Sequence, residues 1–139
     1  MHSMREQLRR NQRGASVVEF ALLAPIFVTL LFGMLGYGQY FYLSHSLQQI
    51  ANNAARATIA GLTTDERTTI ASEAVTREAR AHGSLAAARL TSSVADQNGY
   101  TTVTVTYDAS NIALLRTGVF PTPGTTIERR ALIRNGGVS

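Results

Sequence analysis

The run FALLAPIFVTLLFGMLGYGQYFYL, residues 20–43, decides the architecture of this 139-residue chain. It contains no Asp, Glu, Arg or Lys, and the charge-free sequence continues to Ala55. A helix of that length reaches about 36 Å at about 1.5 Å per residue, against a hydrocarbon core about 30 Å thick. A buried helix of a small soluble domain does not need so long and uniform an apolar run. The stretch therefore reads as a transmembrane helix. Glu19 lies immediately before it. An ionisable group in a membrane segment costs roughly 2.5–3.5 kcal/mol when central and less near an interface, so it marks a functional position.

Charge is distributed unevenly around this run. All 13 basic residues are arginines, and Cys is absent, which excludes disulfides and thiolate chemistry. Residues 1–14 hold Arg5, Arg9, Arg10 and Arg13 against Glu6, a net of +3. Residues 15–139 hold nine arginines against eight acids, a net of +1. The pI of 10.1 thus belongs mostly to the first 14 residues. Arginines beside an apolar run fit a cytoplasmic flank better than a nucleic-acid arm, so no nucleic-acid partner is expected. After the run, only Arg56 lies close enough to count. The N-terminus is expected in the cytoplasm and the C-terminus in the periplasm. Tyr37, Tyr40, Phe41 and Tyr42 suit an aromatic belt at the far interface. The run is longer than the apolar core of an ordinary secretory signal peptide.

Within the run, Pro25 removes a backbone donor and predicts a modest kink or local unwinding. Gly33, Gly36 and Gly38 form G-x-x-G-x-G, which is not the dinucleotide fingerprint. They suit close helix approach or local flexibility, or are simply common helix residues in a membrane.

The order of features at the N-terminus is specific. A short basic leader is followed by Gly14, then Ala15-Ser16-Val17-Val18-Glu19-Phe20, then the apolar helix with Pro25 and the later Phe32-Gly33. This arrangement resembles the class III signal cut after glycine by a prepilin peptidase. The motif is similar to that of TadE-like proteins, the minor pilins or pseudopilins of the tight-adherence (Flp) pilus, a type IV pilus system. The resemblance covers about residues 13–45. Phe20 stands where the major Flp pilins carry tyrosine, which points toward a minor pilin, as does the length of the chain. The resemblance implies processing between Gly14 and Ala15, and assembly through Glu19 and Phe20. Its implied partners are the prepilin peptidase, other pilin subunits and the tight-adherence assembly platform.

Cleavage after Gly14 would free an α-amine at Ala15, with an ordinary pKa near 7.7–8.0. That ammonium and the Glu19 carboxylate could neutralise each other between neighbouring helices and set their register. The competing reading leaves Glu19 near the cytoplasmic interface, paired with Arg13 or water.

Beyond Leu43 the helical spacing of Leu47, Ile50, Ala51, Ala54 and Thr58 predicts an amphipathic continuation ending at Gly61. Thr63 and Glu66 have capping-box spacing and start a second helix, which runs to about Ala81 and stops at Gly83. Its buried face is expected to hold Ile70, Ala71, Ala74 and Val75. The period then changes to two. Strands are expected over residues 90–96, 100–107 and 125–134, with a hairpin turn at Asn98-Gly99. One helical turn is expected near residues 111–116. Thr102, Thr104 and Thr106 read as a solvent-facing strand face, and Arg129-Arg130 as a surface pair.

The expected fold is α+β and pilin-like: a long N-terminal transmembrane helix, a second helix and an antiparallel sheet of about three strands. The expected divisions are a removable leader at 1–14, a transmembrane helix at 15–43 and an outer domain at 44–139, packed on the helix extension. His2, His45 and His82 lack metal-ligand spacing, and no nucleophile motif is present, so no catalysis, cofactor or small-molecule substrate is expected. The expected function is that of a minor pilin in the bacterial inner membrane that initiates, caps or supports the pilus. The alternative is an unprocessed single-pass periplasmic scaffold of a secretion system.

Overall fold

A computed structural model describes residues 2–83, 85–116, 121 and 124–135. Helix α1 runs from His2 to Ala57 and passes through Pro25 without interruption, so the unwinding expected there does not occur. The Thr29 hydroxyl donates to the Pro25 carbonyl at 2.8 Å, within that turn. A 3-10 turn, Thr58–Ala60, closes the helix onto Gly61. Gly61 is extended (φ −84°, ψ 138°) rather than left-handed, so it ends the helix by a different route from a glycine cap. Its reason for being glycine is space. A Cβ there would lie 2.8 Å from Arg67 Cγ and 3.0 Å from the Arg67 backbone nitrogen.

Helix α2, Thr64–His82, begins with the expected capping box. Glu66 N–H donates to the Thr63 hydroxyl, and Glu66 Oε2 accepts from Thr63 N–H, both at 3.2 Å. The same carboxylate oxygen also takes Leu62 N–H at 2.8 Å, and these backbone bonds lower the Glu66 pKa. Gly83 ends the helix in the left-handed region (φ +56°). Ala71, Ala74, Val75 and Ala79 are buried, while Ile70 is only half-buried.

Strands β1 (Leu90–Gln97), β2 (Tyr100–Asp108) and β3 (Thr126–Arg134) form an antiparallel sheet in the order β1-β2-β3. Asn98 (φ 53°) and Gly99 (φ 78°) make the β1–β2 turn, which needs positive φ at both positions. The register puts Val103 beside Val94 and Ala131, and Tyr107 beside Leu90 and Ile127. These residues share the core face with Thr101 and Val105. The other face carries Thr102, Thr104, Thr106, Glu128, Arg130 and Leu132, and its edge strands are exposed. A short helix α3, Ala113–Arg116, falls within the expected turn region.

One expectation is corrected by the register. Arg129 pairs with Val105 and lies on the core side, whereas Arg130 pairs with Thr104 on the open side. Adjacent strand residues point to opposite faces, so the two arginines are not a single surface pair. Half-buried Arg129 donates to the Glu128 carbonyl at 2.8 Å, and Arg130 bridges the Glu128 carboxylate at 2.7 Å.

The chain divides into two compact units, Met1–Gly36 and Tyr37–Ser139. The core lies in the second. Leu43, Leu47, Ile50, Ala51, Ala54 and Ala55 of α1 join α2 and the inner sheet face in one buried cluster. Leu47, Ile50, Val103, Val105 and Ile127 are essentially fully buried. Each such side chain contributes about 1.5–3 kcal/mol relative to exposure. The fold is therefore α+β, with a long apolar helix, a second helix and a three-stranded antiparallel sheet.

Candidate assembly helix

The expected site residues all lie on the first part of α1. Gly14, Ala15, Glu19 and Phe20 are helical and exposed. Ala15 and Glu19 are four residues apart and so occupy one stripe of the helix, about 6 Å apart along its axis. Phe20 lies about 100° further round and is 72% exposed. The neighbours of Glu19 at three and four residues are Ala15, Ser16, Leu22 and Leu23, none of them cationic. Glu19 makes no ion pair with any described residue. The expected pairing with Arg13 falls on a side chain outside those described.

Gly14 is informative by contrast with Gly61. A Cβ added at Gly14 would meet nothing within 4 Å. Its backbone is helical, where glycine costs about 1 kcal/mol relative to alanine. Among the described residues, packing gives no reason for glycine at that position. Gly38 likewise has open space around its missing side chain.

From Phe20 to Leu35 the exposed helix surface is predominantly apolar. Val17, Val18, Leu22, Leu23, Ile26, Phe27, Met34 and Leu35 are all exposed. Among the described residues, one helix is long and apolar enough to cross a membrane, within Gly14–Ala60. That single span fits a single-pass membrane protein. At Tyr37 the surroundings change. Its hydroxyl donates to the Pro121 carbonyl at 2.8 Å, and three turns on, the Gln48 side chain donates to the Arg130 carbonyl at 3.0 Å.

A polar cluster in the outer unit escapes sequence reasoning. Asp96 accepts from the Thr64 hydroxyl at 2.7 Å, from Arg67 at 2.9 Å and from the Thr101 hydroxyl at 2.5 Å. Thr101, fully buried, also touches the Asn135 side-chain amide. The hydroxyl bonds from Thr101 and Thr64, and then the Arg67 guanidinium, overcome desolvation and hold the Asp96 pKa down at about 2. Arg67 also donates to the Gly61 carbonyl at 3.1 Å. The cluster thus ties the start of α2 to the hairpin and the end of β3. A smaller tie joins Arg89 to Asp108 at 3.4 Å. Asp108 also accepts from Ser110 N–H at 2.9 Å, the main cause of its lowered pKa. Only that last bond, two residues long, has a local sequence signal.

Residues 14–56 match the family model of TadE-like proteins. No curated protein and no solved structure matches the chain.

Proposed function

From the match of residues 14–56 to the family model of TadE-like proteins, we propose that this chain belongs to the tight-adherence system and works there as a minor pilin. It is processed between Gly14 and Ala15 by a prepilin peptidase in the inner membrane. It then joins other pilin subunits and the assembly platform through the exposed apolar helix, to initiate, cap or support the pilus. Its N-terminus faces the cytoplasm and its outer unit the periplasm. The mechanism is association rather than turnover, with no cofactor.

The observation that carries this reading is the pairing of Gly14 and Glu19. Among the described residues, nothing lies within 4 Å of a Cβ at Gly14 and no ion pair reaches Glu19, and both lie in the matched segment. A glycine that lowers helix stability eases the local unwinding that a protease needs at a helical peptide bond. The new ammonium at Ala15 would share a stripe with Glu19. Within a packed bundle the carboxylate of one chain can meet the ammonium of its own chain or of a neighbour. Removing one partner of a desolvated pair costs about 3–5 kcal/mol.

Intact mass of the membrane-extracted protein tests the processing step. The expected chain begins at Ala15, and retention of residues 1–14 beside an active peptidase rejects the proposal. Glu19→Ala is expected to insert normally but to be lost from sheared pili. Unchanged incorporation would favour the interfacial role for Glu19.

The continuity of α1 across the Gly14–Ala15 bond favours a second reading, because a helical bond is shielded by its own hydrogen bonds. In it the chain stays uncut and serves as a membrane-anchored scaffold. The same mass measurement separates the two.

A further inference from the structure

We infer that lipid hydrocarbon contacts this chain over residues 17–36, that Tyr37, Tyr40, Phe41 and Tyr42 lie among the outer headgroups, and that Glu19 sits inside the hydrocarbon of the opposite leaflet. The inference rests on the single-pass reading and concerns the bilayer as a partner. It starts from the Tyr37 hydroxyl, which donates to the Pro121 carbonyl. Pro121 is exposed and belongs to no helix or strand. Irregular backbone open to lipid does not occur in hydrocarbon, because unpaired peptide groups cost several kcal/mol there. The hydroxyl therefore marks a level outside the hydrocarbon. Side chains on a helix lean toward its N-terminus, so that level lies no further along α1 than Tyr37 itself.

The burial of α1 agrees at its large side chains, while Gly33 and Gly36 within the stretch are buried. The large apolar residues from Val17 to Leu35 are 42–72% exposed, whereas Leu43 is 3% and Leu47 0% exposed. Leu43 faces the protein core and is not available to lipid. Hydropathy alone extends the span to Leu43 because it does not distinguish the two apolar surroundings. From Gly36, a hydrocarbon thickness of about 30 Å takes about twenty residues of helix and ends at residue 17. The Glu19 backbone then lies about 3 Å inside the inner boundary, and the Gly14–Ala15 bond lies in the headgroup layer about 3–5 Å outside it. A tilt of about 20° adds one or two residues and moves Glu19 deeper. The lone precursor can lean the carboxylate back toward the headgroups, but a bundle of helices closes that route.

The chain has no cysteine, so single cysteines can report the boundary without background. Leu30→Cys, Met34→Cys, Gln39→Cys, Phe41→Cys and Tyr42→Cys replace residues exposed in the structure, and Asn53→Cys serves as an exposed control. Each full-length variant is labelled in native membranes with a membrane-impermeant maleimide and normalised to labelling after denaturation. Labelling needs a hydrated, ionisable thiol, so positions 39, 41 and 42 are expected to react roughly tenfold or more faster than 30 and 34. Protection of 41 and 42 equal to that of 34 would overturn the inference, as would free reaction at 34. Intact cells and inside-out vesicles separate register from orientation. An inverted topology exchanges which preparation labels residue 53 but leaves the 34–39 boundary in place. The experiment reads the same boundary in the uncut Gly14→Ala chain, so failed processing does not affect it.

Discussion

At the scale of single residues, two glycines in one chain have opposite explanations. Gly61 is set by a close approach to Arg67. Gly61→Ala is expected to cost about 1–3 kcal/mol, because backbone as well as side chain must shift. Thermal unfolding of the detergent-solubilised protein checks it. Gly14→Ala is expected not to lower that stability, since alanine favours the helix, while the leader remains attached, as read by intact mass. Asp96 supplies a pH dependence. Its pKa falls from an ordinary 3.8 to about 2 on folding. A depressed carboxylate pKa stabilises the fold above the unfolded value, and that stabilisation is lost as pH falls from about 4 toward 2. The group is 17% exposed, so the contribution is on the order of 1–2 kcal/mol. Denaturant unfolding between pH 2 and 6 should show this slope in the wild type and a smaller one in Asp96→Asn.

At the scale of elements, what was legible in the sequence follows from how local each signal is. The Thr63–Glu66 capping box spans four residues, and the Asn98-Gly99 turn spans two. Both appear as expected, because each needs only its own backbone. Thr63→Ala should cost about 1 kcal/mol through loss of the cap, measured by thermal unfolding. The alternation of β2 also predicts which side chains enter the core. The Asp96 cluster was not legible, since Thr64 and Arg67 reach it across 32 and 29 residues. That Arg129 and Arg130 face opposite sides follows from the strand alone, but which of them faces the core depends on a register set by β2. The spacing from Gly14 to Glu19, which picks out the candidate residues, was legible. Their surroundings were not, because exposure of Phe20 and the open space at Gly14 are properties of packing.

For the whole molecule, the core crosses the boundary that hydropathy suggests. Residues 43–55 of α1 supply six of the buried apolar side chains described. The outer unit therefore includes the helix from Tyr37, and a sheet with α2 alone lacks one side of its core. A chain starting at Tyr37 is expected to unfold cooperatively, whereas one starting at Leu62 is expected to lack a cooperative transition in circular dichroism. Leu47→Ala, at the centre of that contact, should cost about 2–5 kcal/mol.

The entry of α1 into the middle of the core has a mechanical consequence. A pull on the N-terminal helix reaches the outer unit through residues 43–58, which are packed along their length rather than attached at one end. Such a load must slide Leu47, Ile50 and Ala54 past the sheet together, in shear. A terminal strand under the same tension would peel one hydrogen bond at a time. The outer unit thus resists a pull along the axis of this packed helix segment better than one delivered through a single terminal strand.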